Sequence, residues 1–226
     1  MARQMGPSLG LLKVALAFAI TQSASVATAN DVCRIAVLGD SLTTAYGLAV
    51  EEGFPAQLER RLRDAGYDCA VLDAGVGGDT TAGGLARLDW TLADRPSHVI
   101  VQLGANDGLR ALPPEQMEQN LDGIVGRLRA DRVAVLLAGM LAPPNLGRVY
   151  GEAFEAVFPR VAERHDVPLY PFFLDGVAGV PALNQGDGIH PTAEGIAVMV
   201  ERILPTVTDW LEQSEDVREA PGVGEG

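Results

Sequence analysis

Four short blocks of this 226-residue sequence carry the residue types that acyl transfer needs. The first is Gly39-Asp40-Ser41-Leu42. A serine that ends a strand and enters the next segment can present its hydroxyl at the rim of a sheet, with its own N–H aimed where a developing oxyanion would sit. The same position suits a helix N-cap, where serine is common. The second block, Asp73-Ala74-Gly75-Val76-Gly77-Gly78-Asp79-Thr80-Thr81, is rich in glycine and leads into a helical segment. It lacks the G-x-G-x-x-G spacing of dinucleotide sites, and no Gly-Lys-Ser/Thr follows, so it does not support a nucleotide site. Glycine does let a backbone N–H approach a ligand closely, as an oxyanion hole requires.

The third block is Gly104-Ala105-Asn106-Asp107-Gly108, in which the Asn106 amide could donate to the same oxyanion or close its own turn. The fourth is Asp187-Gly188-Ile189-His190-Pro191. A carboxylate that holds the Nδ1 proton of a histidine leaves Nε2 free to take a proton from a serine. A surface ion pair or a metal site are the alternatives. The chain has three histidines, and His98 and His165 fall at a predicted strand start and a predicted helix end, so no ligand cluster forms around His190.

These blocks must be positioned by a regular scaffold, and the rest of the sequence specifies one. From Arg34 onward, short β-branched runs alternate with segments of helical period, the pattern of βαβ units. The predicted fold is α/β, a three-layer sandwich with a five-stranded parallel sheet flanked by helices. Strands are expected at Arg34 to Leu38, Ala70 to Asp73, His98 to Leu103, Val133 to Ala138 and Val167 to Pro171. Helices are expected over Pro55 to Ala65, with Leu58 and Leu62 inward, and over Ala82 to Ala93, with Leu85, Leu88 and Leu92 inward. A third opens at Pro113 and Pro114 and carries the stripe Met117, Leu121, Ile124, Val125 and Leu128; a fourth spans Val149 to His165. The last runs from Thr192 to Leu211, with Pro205 expected to kink or split it. Ligands of open parallel sheets bind outside the carboxyl ends of the strands, and each of the four blocks falls at a predicted strand end or helix entry.

The termini read differently. Arg3 and Lys13, the mostly apolar run Leu9 to Ile20 and the small-x-small Ala27-Thr28-Ala29 form the pattern of a signal peptide, residues 1–29. The apolar stretch is shorter than the roughly 20 residues needed to span a bilayer, so stable membrane insertion is not expected after cleavage. The expected destination is the periplasm or the exterior. Residues 30–211 then form one catalytic domain, and 212–226, acidic and poor in apolar residues, are expected to be a disordered tail. A net charge of -13 repels phosphate backbones and argues against nucleic acid as a partner. Cys33 and Cys69 start neighbouring predicted strands; export permits a disulfide between them, and two buried thiols are the alternative. A monomer is compatible with the sequence, which leaves the oligomeric state open.

With these blocks in hand, the chain resembles the SGNH, or GDSL, hydrolases, over about Arg34 to Leu211. The resemblance implies Ser41 as nucleophile, Gly78 and Asn106 as oxyanion donors, His190 as base and Asp187 as its orienter, on a flavodoxin-like sheet, with no cofactor and no metal. Gly78-Asp79-Thr80-Thr81, Leu85-Ala86-Arg87-Leu88, Asn106-Asp107-Gly108-Leu109-Arg110, Asn145-Leu146-Gly147-Arg148 and the run Val167 to Phe173 are similar to the bacterial acyl-CoA thioesterase, lysophospholipase and arylesterase branch. That branch implies a small-molecule ester, thioester or lysophospholipid substrate. Ala105 stands where glycine is frequent, and Asp73 where many relatives carry asparagine; neither removes a catalytic role. A carbohydrate O-acetylesterase uses the same blocks, and a non-catalytic lipid or glycan carrier could keep the fold. The apolar loop residues Leu109, Leu112, Leu141, Pro143, Pro144 and Leu146 favour an acyl chain over a sugar, and a carrier would not need the Asp187–His190 pair.

Overall fold

The computed structural model describes residues 33–219, with side chains to Ser214, and the first two residues. The expected signal peptide and residues 220–226 otherwise lie outside the described residues. Five strands form the sheet: β1 (Cys33–Gly39), β2 (Cys69–Asp73), β3 (His98–Gln102), β4 (Ala134–Ala138) and β5 (Leu169–Tyr170). They lie in the order β2-β1-β3-β4-β5, and every pairing is parallel. Each strand falls within a residue or two of its expected bounds. All five residues of β3 are buried, as are Ile35 to Gly39 of β1. Near-continuous apolar runs such as these are what a strand covered by helices on both faces must present.

The helices are α1 (Phe54–Asp64), α2 (Thr81–Ala86), α3 (Leu88–Ala93), α4 (Ala105–Leu109), α5 (Pro114–Ala130), α6 (Arg148–Glu155), α7 (Val157–His165) and α8 (Ala193–Glu219). Leu58 and Leu62 of α1 and the whole stripe of α5 are buried, as their spacing predicts. Two expected helices are each divided. The segment 82–93 breaks at Arg87, whose φ of -105° and ψ of 12° leave the helical region. Leu88 is buried, but the break leaves Leu85 36% exposed, so the inward face expected for it is not formed. The fourth helix divides at Ala156.

Helix α8 is unsplit and longer than expected. Pro205 lies inside it without dividing it; the residue is exposed, as is Glu201, whose carbonyl loses its intrahelical donor. Nor does order end at Leu211, because α8 continues to Glu219, into the stretch expected to be a disordered tail. The tail's polar residues find partners that periodicity does not reveal. The Tyr67 hydroxyl is 2.5 Å from Glu212 Oε1, and His98 Nε2 is 2.7 Å from Ser214 Oγ, with Trp210 set edge-on to the same imidazole.

Cys33 and Cys69 are register partners at the starts of β1 and β2 and form a disulfide, with Cα atoms 4.5 Å apart. Among the described residues no helix is long and apolar enough to cross a membrane. The disulfide closes a loop with a sequence separation of 36 at the amino ends of the strands, the edge opposite Ser41. Loop-closure entropy assigns such a link about 4 kcal/mol. Reduction, or Cys33→Ala with Cys69→Ala, should therefore lower the denaturation midpoint by that equivalent while leaving kcat unchanged wherever the protein stays folded. Urea unfolding with and without reductant checks this.

Candidate active site

Because β1 sits between β2 and β3, the chain leaves β1 to one side for β2 and returns on its other side for β3. The two crossovers diverge, and a crevice opens at the carboxyl ends of β1 and β3. Ser41 follows β1 by two residues, Gly78 lies in the loop after β2, and Asn106 is the second residue of α4, which begins three residues past β3. His190 arrives on the loop before α8. Ser41, Gly77, Gly78, Asn106 and His190 line one cavity of about 1150 Å³. Asp187 stands behind the histidine.

The geometry around His190 is continuous. Asp187 Oδ2 is 2.6 Å from His190 Nδ1, and His190 Nε2 is 2.9 Å from Ser41 Oγ. Asp187 Oδ1 also accepts from the backbone N–H groups of Ile189, at 2.9 Å, and His190, at 3.0 Å. Three donors, the imidazole first, hold its carboxyl well below the usual carboxylate range. An ionised Asp187 can only accept, so Nδ1 carries the proton of the neutral ring and Nε2 presents its lone pair to the Ser41 hydroxyl. The expected tautomer follows from the aspartate.

Asp40, next to the serine, is fully buried. Its Oδ1 accepts from Leu42 N at 2.9 Å and its Oδ2 from Asn106 Nδ2 at 3.1 Å. Burial pushes the Asp40 carboxyl up to about 6, against the lowering effect of those two bonds and of His190. One proton of the Asn106 amide is thus engaged by Asp40, which fixes the side chain and leaves its second proton available.

The glycine loop is held from below by Arg87. Its Nε donates to Asp79 at 2.6 Å, its Nη1 to the Ala74 carbonyl at 2.6 Å and its Nη2 to the Gly39 carbonyl at 2.9 Å. One planar guanidinium therefore ties the end of β1 to both ends of the loop after β2. Gly78 has a φ of +79°, a conformation that favours glycine, and its carbonyl accepts from Arg110 at 2.8 Å. Buried Asp107 accepts from Thr81 N at 2.9 Å and Thr81 Oγ1 at 2.6 Å, joining the start of α2 to α4. Gly104 has a φ of +116°, and a Cβ there would come within 3.1 Å of Phe158 and 3.2 Å of Met117. The turn that launches Asn106 thus requires glycine.

All five residues singled out from the sequence lie at this crevice. Sequence reasoning missed Asp40 as a buried partner of Asn106, Arg87 as a fastener, and Tyr46 and Gln185 beside His190. Arg87 was hidden because a continuous helix would have placed it on a polar face. Of the loop residues expected to favour an acyl chain, Leu109, Leu141, Pro143 and Pro144 line the cavity, and Met140, Phe172 and Leu174 join them. Leu112 and Leu146 are not among the lining residues.

Residues 37–198 match the family described as GDSL-like Lipase/Acylhydrolase. Esterase TesA of Pseudomonas aeruginosa is 44% identical over 193 residues, covering 85% of this chain and 93% of that one. Thioesterase 1/protease 1/lysophospholipase L1 of Escherichia coli is 39% identical over 176 residues, covering 77% of this chain and 79% of that one. The crystal structure of the psychrotrophic esterase EstA from Pseudoalteromonas sp., inhibited by monoethylphosphonate, superposes with a TM-score of 0.76 at 34% identity, covering 80% of this chain and 99% of that one.

The raised Asp40 carboxyl has a consequence for stability. Its folded value, about 6, exceeds the ordinary 3.8, so the native state holds a proton that the unfolded chain releases. The stabilisation from that proton is present below the ordinary value and is lost as pH rises through about 6. The stability of the wild type minus that of Asp40→Asn should fall by about 2 kcal/mol between about pH 4 and about pH 7. Urea titrations of both proteins across that range measure it, and the double difference removes any constant cost of the substitution.

Proposed function

The chain belongs to the GDSL-like lipase/acylhydrolase family and is a serine hydrolase of carboxylic esters and thioesters; we propose that Ser41, His190, Asp187, Gly78 and Asn106 carry out that hydrolysis. The observation that carries the assignment is the unbroken run of short contacts from Asp187 through His190 to Ser41 Oγ, opening into a largely apolar cavity.

In the proposed cycle His190 Nε2 accepts the Ser41 proton as Oγ attacks the carbonyl carbon. Asp187 remains ionised and stabilises the imidazolium. The oxyanion receives the N–H groups of Ser41 and Gly78 and the second amide proton of Asn106. His190 then protonates the departing alcohol or thiol. A water molecule, deprotonated by His190, attacks the acyl-enzyme, and His190 returns that proton to the departing Ser41 Oγ as the acid is released.

The substrate reading is an acyl chain longer than acetyl. Met140, Leu141, Pro143, Leu109, Phe172 and Leu174 offer apolar contact along a cavity larger than a short acid would fill. The names of the relatives, an esterase and a thioesterase/lysophospholipase, support esters, thioesters and lysophospholipids as the class. We also propose export, with residues 1–29 removed and the mature enzyme in the periplasm or outside the cell. The charged, apolar and small-residue succession of that segment supports this, as does a disulfide, which persists in oxidising compartments.

Ser41→Ala should abolish turnover of p-nitrophenyl esters, and full activity in that variant would overturn the assignment. Asn106→Ala should lose about 10² to 10³ in kcat, the typical effect of removing one oxyanion donor. On the wild type, kcat/KM should rise from acetyl to longer acyl esters; a preference for acetylated xylan would favour the O-acetylesterase reading instead.

A further inference from the structure

We propose that Tyr46 and Gln185 form a clasp that positions His190 against Ser41, an inference that rests on His190 acting as the base. The His190 loop is exposed at Asp187, Gly188 and Ile189. Its other fastenings run to the segment just before it. Asn184 Nδ2 donates to the carbonyls of Val177 at 2.8 Å and Val180 at 2.9 Å, and Thr192 N donates to Leu183 O at 2.9 Å. None of those bonds reaches the segment that follows β1. The Ser41–His190 contact must therefore be supported from the serine side, because a loop free to drift by an ångström would break it.

Two contacts supply that support. The Tyr46 ring stacks on the His190 imidazole, with centroids 4.1 Å apart and planes inclined by 26°. Tyr46 is five residues past the nucleophile, on the turn that follows it, so the ring approaches His190 from the segment that carries Ser41. The face of the imidazole is held by Tyr46, one edge by Asp187, and the other edge faces Ser41. An electron-rich ring over the face also favours the imidazolium that forms in each transition state.

Gln185 closes the clasp from the loop side. Its Nε2 donates to the Tyr46 carbonyl at 2.8 Å and to the Pro191 carbonyl at 2.9 Å, while its backbone N–H donates to the His190 carbonyl at 2.7 Å. One side-chain amide thus bridges the carbonyl of the stacking residue and the carbonyl of the residue after the histidine. Asp187 on its own loop and Asp40 on the β1 side act electrostatically on His190.

The test is a double-mutant cycle on ester hydrolysis with Tyr46→Ala and Gln185→Ala, with Tyr46→Phe as the conservative control. Tyr46 is 53% exposed, so its truncation should leave the thermal midpoint near that of the wild type. Each alanine variant should lose about tenfold in kcat with KM within about twofold of the wild type. Tyr46→Phe should keep wild-type kcat, and the double variant should lose less than the product of the single losses. Unchanged kcat in Tyr46→Ala, or a rise in KM alone, would overturn the clasp and make Tyr46 a cavity-wall residue. The Ser41→Ala control keeps the two readings apart: activity surviving there removes the serine mechanism, whereas an inactive control beside a fully active Tyr46→Ala removes only the clasp.

Discussion

The site depends on one constraint of topology: β1 must lie inside a parallel sheet with β2 on one side and β3 on the other. A parallel strand cannot turn straight back, so every return runs through a helix, and all carboxyl ends emerge on one edge. The strand order β2-β1-β3-β4-β5 then places the loops carrying Ser41, Gly78 and Asn106 side by side around the point where the crossovers diverge. Moving β1 to an edge would take Ser41 out from between Gly78 and Asn106. Arg87 and the Thr81–Asp107 pair refine what the sheet has already brought together, fixing the glycine loop to the end of β1 and to α4.

Two carboxylates flank the Ser41–His190 pair and are driven in opposite directions by their surroundings. Asp187, on an exposed loop, gathers three donors and stays ionised, which suits a group that must accept from imidazole and stabilise its cation. Asp40 is sealed inside, and desolvation raises it despite two donors. Its ionised form costs folding energy, and what that form obtains is an asparagine amide held in one orientation. Such a cost is characteristic of polar groups retained for positioning.

Much of this was legible in the sequence because the relevant signals are local. The strands read as apolar runs, and the stripe on α5 follows helical period over seventeen residues. Three of the four blocks follow strand ends, where parallel topology puts them, and the fourth lies at the entry to α8. What stayed hidden depends on contacts between residues far apart in the chain. Arg87 stands at the break between α2 and α3, and its guanidinium is engaged by three oxygens of other segments. Beyond Leu211, α8 meets Tyr67 and His98, and the His190 ring meets Tyr46, all residues distant in the chain. Local propensity carries no information about such partners. The disulfide is not specified locally for the same reason, since it requires the register of β1 on β2.

The central claim is that Ser41 is the atom that receives the acyl group. It is tested most directly by treating the native protein with a fluorophosphonate and mapping the adduct by peptide mass spectrometry. The account predicts one equivalent of label per chain, on the peptide containing Ser41, and none in His190→Ala on the same timescale. Stoichiometric labelling of any other residue, or a fully active enzyme with Ser41 unlabelled, would contradict it.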